Sequence, residues 1–279
     1  MSLKDLLVHV DASPQGLARL RLAADLAEAH QAYVTGLFLK APPSPPSALA
    51  VGAGAYIGIP DLDEDSRLTG AVERAADSCE VAFRRELERT AAKGEWQAID
   101  AASLRAIVPY AGCADLVILG KVAPVPYGDT TDLPGEIALA CGRPVLVVPD
   151  RPFASVGERI MIAWNGRRES IRALHDAMPL LECARFVVLL EIGDRDAGPA
   201  ALKGIAEHLA RHGVNAERRV VTASSAEDAG QALLSQADNL DCDLVVMGAY
   251  GHTRLREIFL GGATRTVLGG MTFPILMSH

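Results

Sequence analysis

The residues of this chain whose types and spacing suit chemistry are glycines near its end. Gly248-Ala249-Tyr250-Gly251-His252 follows the apolar run Leu244–Met247, and after nine residues beyond Gly251 (252–260) comes Gly261-Gly262-Ala263-Thr264-Arg265. A glycine at a strand end lets backbone N–H groups approach a phosphate with no Cβ in the way. Gly261 and Gly262 open a predicted helix, and a helix N-terminus offers free N–H groups and a favourable dipole to an anion. Thr264 adds a hydroxyl donor, and His252 stands where it can meet a phosphate. The plainer alternative is that these glycines only turn the chain, with His252 idle. Arg254, Arg256 and Arg265 read as a solvated or interdomain face.

The elements that must position such a cradle recur along the chain. Leu6-Leu7-Val8-His9-Val10-Asp11 opens it, and Ile160-Met161-Ile162-Ala163-Trp164-Asn165 opens again 154 positions later. Both runs are apolar and rich in branched residues, as buried parallel strands are. Each leads through a polar turn into a helix, with Leu17, Leu20, Ala24 and Ala27 in one and Ile171, Leu174, Met178 and Leu181 in the other. That spacing predicts one apolar stripe per helix. Ala114–Gly120 then matches Cys242–Gly248 at an offset of 128, and Arg143–Val148 matches Phe273–Met277. The fall in offset leaves about 26 extra residues in the first half, in a stretch rich in Pro, Gly and Ala.

In the second half strands are predicted near 159–164, 186–191, 217–221, 244–247 and 274–277, and helices near 168–181, 199–212, 227–239 and 262–268. Alternating strands and helices predict an α/β fold: two tandem open parallel five-stranded sheets, strand order 3-2-1-4-5, Rossmann-like, with helices on both faces. The expected domains are 1–150, with an inserted loop at about 41–66, and 156–279. The last strand of each half is an apolar edge that calls for cover, which predicts that the two edges meet within the chain. A homodimer beyond that intrachain pseudo-dimer is a further option. Ligands of such sheets sit beyond the carboxyl ends of the strands, where strand order switches.

The pattern G-x-x-G, nine residues, then G-S/T resembles the ATP-binding signature of the universal stress proteins. Gly248, Gly251 and Gly261 fit it, and Gly262 departs from it. The resemblance implies a cytoplasmic stress-response regulator or sensor binding an adenine nucleotide, ATP, through Ala163, Asn165, Gly248, Gly251, His252, Gly261, Gly262, Ala263 and Thr264. That family carries an Asp at the end of the first strand. Asp11 matches it, whereas Asn165 keeps the hydrogen bonding and loses the charge, which weakens the case for Mg²⁺. In the first half Lys121-Val122-Ala123-Pro124-Val125-Pro126 replaces the glycine loop, and two prolines remove two N–H donors. One half keeps the acid and the other keeps the cradle, so nucleotide is expected in the second half alone. Asp11, without a cradle beside it, reads as a helix-capping residue. Trp164 reads as packing and His9 as a structural histidine.

Composition narrows the classes. The chain has 279 residues, 49% hydrophobic and 22% charged, enough apolar material for two cores. A net charge of −8 argues against a broad nucleic-acid surface. No apolar run is long enough to span a bilayer, and the opening residues do not resemble a secretory leader. Cys79, Cys113, Cys141, Cys183 and Cys242 form no C-x-x-C pair, so reduced thiols are expected rather than a metal cluster or disulfides. The nucleophile-elbow G-x-S-x-G, the Walker A lysine and the H-x-G-H signature are all absent from the sequence. No catalytic residues and no metal ligands are therefore assigned. Two alternatives to a nucleotide sensor remain: a weak ATP-hydrolysing enzyme, and an interaction scaffold that has lost its ligand.

Overall fold

A computed structural model of the chain describes residues 2–40, 62–100, 107–121, 133–153, 155–192, 199–223, 225–249 and 262–279. The first half runs β1 (Asp5–His9), α1 (Pro14–His30), β2 (Tyr33–Lys40), α2 (Leu62–Thr90), β3 (Lys93–Asp100), α3 (Val108–Gly112), β4 (Leu116–Gly120), α4 (Leu133–Cys141) and β5 (Val145–Val148). The second runs β6 (Arg159–Trp164), α5 (Arg168–Asp176), α6 (Met178–Leu181), β7 (Phe186–Ile192), α7 (Pro199–Arg211), β8 (Ala216–Val221), α8 (Ala226–Asn239), β9 (Leu244–Gly248), α9 (Gly262–Gly270) and β10 (Ile275–Ser278).

Each half has the order 3-2-1-4-5, and the halves are fused rather than separate. One ten-stranded sheet runs β3-β2-β1-β4-β5-β10-β9-β6-β7-β8. Neighbours within a half are parallel, while β5 and β10 pair antiparallel with Leu146 opposite Leu276. The expected pair of five-stranded sheets is thus one continuous sheet. The reason is the edge: Val145–Val148 and Ile275–Met277 are almost fully buried apolar strands, and an apolar edge with free N–H and C=O groups is costly unless paired. The outer edges β3 and β8 are guarded differently. They carry Lys93, Glu95, Glu217, Arg218 and Arg219 on half-exposed strands, and charge at an edge discourages further pairing.

Apolar side chains on both sheet faces make two cores. Leu20, Phe83, Leu174, Leu181 and Leu209 bring α1, α2, α5, α6 and α7 onto one face. Ile107, Ala111, Ile137, Leu233 and Val267 bring α3, α4, α8 and α9 onto the other. Both faces being covered is why β4 and β9 read as unbroken apolar runs rather than alternating ones.

Three local expectations are corrected. The helix predicted at 168–181 is two helices, broken at Ala177, with Pro179 in the first turn of α6. A proline has no N–H for the carbonyl one turn back and clashes with it, so the first helix must stop. The inserted stretch ends earlier than residue 66, because α2 already begins at Leu62; its remaining residues, 41–61, lie outside those described. Finally, Leu17 and Ile171 do not join the apolar stripes: they are 42% and 39% exposed in the first turns of α1 and α5.

Candidate functional site

In each half the strand order switches beside the first strand, so the crevices lie beyond β1/β4 and β6/β9. Both open with the same turn. Asp11 Oδ1 accepts from the Ser13 amide at 2.9 Å, and Asn165 Oδ1 accepts from the Arg167 amide at 3.0 Å. A short polar side chain bonding two residues ahead holds the chain in the bend from strand to helix. The residue identities at 11 and 165 thus share a structural job.

The first crevice uses its polar groups internally. Ser13 is the cap of α1, its Oγ accepting from the Gly16 amide at 2.9 Å. Asp11, expected as the cap, instead accepts from Ser13 and pairs with Arg19 at 2.7 Å. Arg19 is 2% exposed, and its Nε donates to the His9 carbonyl at 2.7 Å. Burial works to raise the Asp11 carboxyl, but the Ser13 hydrogen bonds and the Arg19 charge outweigh it and hold the pKa below its ordinary value. His9 is pushed down to about 3, by burial first and the Arg19 charge second, and so stays neutral. Lys121, at the end of β4, sends its Nζ across to the Gly269 carbonyl of α9 at 2.8 Å. Gly16 packs so tightly on the turn that a Cβ would stand 2.3 Å from the Asp11 carbonyl oxygen.

The second crevice is built differently. Asn165 is exposed and Gly166 takes a left-handed φ of +70°. Gly248 ends β9 directly against the first turn of α5, where a Cβ would lie 2.6 Å from the Glu169 carbonyl carbon and the Ser170 nitrogen. The helix can approach the strand only because position 248 has no side chain. Ala249 continues the register, its N–H donating to the Ser278 carbonyl at 2.9 Å. At the start of α9, Gly262 is exposed, Ala263 half-buried and Thr264 4% exposed. Ala163 is half-buried within β6. Gly251, His252 and Gly261 lie outside the described residues, as do Arg254 and Arg256, while Arg265 is exposed. Among the described residues no group of three or more His, Cys, Asp or Glu is placed to hold a metal ion.

Sequence reasoning missed Arg19 and the repeated acids Asp115 and Asp243. Asp243 accepts from the amides of Gly157, Glu158 and Arg159 and from the Ser155 hydroxyl. Asp115 accepts from the amides of Lys4 and Asp5. Each ties the entry of a first strand to a fourth strand. The one signal in sequence was their recurrence, since an Asp precedes the apolar run in both halves.

A doubly wound α/β protein with its candidate site at the carboxyl ends of β6 and β9 is the class this geometry defines. Residues 158–279 match the model of the universal stress protein family. A universal stress protein of Synechocystis is 26% identical over 172 residues, covering 59% of this chain and 58% of that relative. The match therefore spans less than two thirds of the relative's length. A universal stress protein structure from Archaeoglobus fulgidus superposes with a TM-score of 0.73 at 14% identity, covering 98% of this chain and 95% of its own. A functionally unknown protein from Pseudomonas aeruginosa superposes with a TM-score of 0.59 at 14% identity, covering 99% and 92%. These likenesses establish the fold across both halves. No helix among the described residues is long and apolar enough to cross a membrane.

Proposed function

We propose that this is a cytoplasmic stress-response sensor or regulator that binds one adenine nucleotide, ATP, in a second domain spanning 156–279, while a first domain spanning 1–150 supports it without binding. The observation that carries the reading is the contrast between the two crevices. In the first, Asp11 is committed to Ser13 and Arg19, and the Lys121 ammonium reaches the carbonyl end of α9. In the second, Asn165 is exposed and has no buried guanidinium paired with it among the described residues, and Gly248 lets the first turn of α5 sit directly against the end of β9. The glycine spacing that continues through Gly251 and Gly261 supports a phosphate cradle there, with the backbone of Gly262, Ala263 and Thr264 as donors. His252 joins it as a phosphate contact.

The experiment is a search for small molecules carried by the purified protein. Mass spectrometry after acid release is expected to find an adenine nucleotide, and ATP added to stripped protein is expected to bind. A protein that purifies empty and gives no heat with ATP, ADP or AMP contradicts the proposal and leaves the scaffold reading in its place.

A further inference from the structure

At the amino ends of the strands, opposite the crevices, one half holds a cation on an aromatic ring and the other leaves that place open. Arg159 opens β6 and pairs in register with Phe186 of β7. Its guanidinium carbon lies 4.5 Å from the centre of the Phe186 ring, and its Nε donates to the Asp241 carbonyl at 3.1 Å. On the neighbouring strand β8, Arg219 pairs with Glu217 at 2.8 Å. The first half repeats this arrangement without the arginines. Asp5 pairs in register with Tyr33, and Thr35 with Glu95. Asp5 therefore stands for Arg159, Tyr33 for Phe186, Glu95 for Glu217 and Gln97 for Arg219. The ring and the acid are kept, and both cations are gone.

What remains is a cavity of about 420 Å³ on the α3 face, lined by Asp5, Tyr33, Thr35, Glu95, Tyr110 and Cys113 among others. None of the described residues lining it is Lys, Arg or His. Lys93, in register with Tyr33, lines a neighbouring cavity instead. Cys113 falls where Asp241 does at the repeat offset of 128, so the stretch of backbone that receives Arg159 also has its counterpart here. Acids at a surface are by themselves only a solvated patch. Here the second half shows what belongs between such a ring and such an acid. An aromatic face and a carboxylate both attract positive charge.

We infer that this cavity binds the guanidinium group of a small organic cation, seated on Tyr33 as Arg159 is seated on Phe186 and held by Glu95 and Asp5. A guanidinium suits the place better than an ammonium, because its flat face stacks on a ring while its edge N–H groups fork onto a carboxylate. The second half has no room for such a ligand, since its own arginines occupy the place. The site stands whether or not the chain binds nucleotide.

The probes are n-butylguanidinium and n-butylurea, which has much the same shape and no charge. Each is titrated into the full-length protein and followed by the amide NMR shifts of Tyr33, Thr35 and Glu95. The guanidinium is expected to saturate those shifts in the wild type, and the urea to bind about tenfold more weakly or worse, the size of one charge-assisted hydrogen bond. Glu95→Gln, a change at an exposed position, is expected to weaken the guanidinium about tenfold for the same reason. Asp5→Arg supplies the cation from the chain itself, as Arg159 does in β6, and is expected to abolish binding while the amide shifts of the second half stay as they were. A wild type without saturable shifts, a urea that binds as tightly, a Glu95→Gln protein of unchanged affinity, or binding retained in folded Asp5→Arg overturns the inference.

Discussion

At the scale of single residues, the two halves share one turn and partner it differently. Asp11 and Asn165 make the same turn bond, but only Asp11 meets a buried guanidinium. Asp11→Ala leaves Arg19 charged, 2% exposed and without its carboxylate. Removing one partner of a buried pair costs about 3 kcal/mol, so the urea midpoint should fall clearly while ATP affinity stays as it was. Gly248→Ala acts in the other half. Its Cβ would overlap the backbone of Glu169 and Ser170, and forced overpacking costs roughly 1–3 kcal/mol. Denaturation should show that loss, and ATP affinity should drop with it because α5 must move away from the strand end. A Gly248→Ala protein with unaltered midpoint would mean that the contact is not tight in solution. The glycine spacing and the Asp/Asn exchange were legible in sequence because they are local. Arg19 was not, since its burial depends on how α1 settles over β1, and nothing in its neighbours marks it as different from a solvated arginine.

At the scale of elements, the strands were the most readable part. A parallel strand covered on both faces is apolar through its middle, and Leu6–Val8, Leu116–Leu119, Ile160–Trp164 and Leu244–Met247 show it. The break at Ala177 was missed because the apolar period runs straight through it: Leu174, Met178 and Leu181 are all buried on the expected face. Periodicity reports which side faces the core and not whether the hydrogen bonds continue past Pro179. The α5–α7 contact also carries a pH dependence. The rings of His175 and His208 lie 5.1 Å apart, and those of His208 and His212 4.7 Å apart. His208 is held below its ordinary pKa by burial first, then by His175, His212 and Arg211. His9 is lowered in the same direction, to about 3. A lowered folded pKa means the unfolded chain takes up protons first, so this stability is present above about pH 6.5 and is lost as pH falls below it. Urea midpoints should therefore decline from pH 7 to pH 5, and His208→Gln should flatten part of that slope. An unchanged slope in that variant would show that His208 does not contribute.

At the scale of the whole molecule, the antiparallel β5–β10 pair makes the two halves one structure. Leu146 and Leu276 meet there, both almost fully buried in the same core. The chain is expected to unfold in a single transition seen alike by circular dichroism and tryptophan fluorescence. Leu146→Asp, which puts a charge into that core, should lower amide protection in β1 and β7 together. Loss confined to β1 would mean that the halves fold independently. The fused sheet also bears on function, because Lys121 of the first half reaches α9 of the second. The central claim is asymmetry, one nucleotide per chain and in the second half. Calorimetric titration of ATP into wild type, Asp11→Ala and Gly251→Val measures it directly. The account predicts a stoichiometry of one for wild type and for Asp11→Ala, with like affinity, and no binding by Gly251→Val, where a branched side chain would block backbone approach to phosphate. Binding lost in Asp11→Ala and kept in Gly251→Val would place the site in the first half and contradict the account.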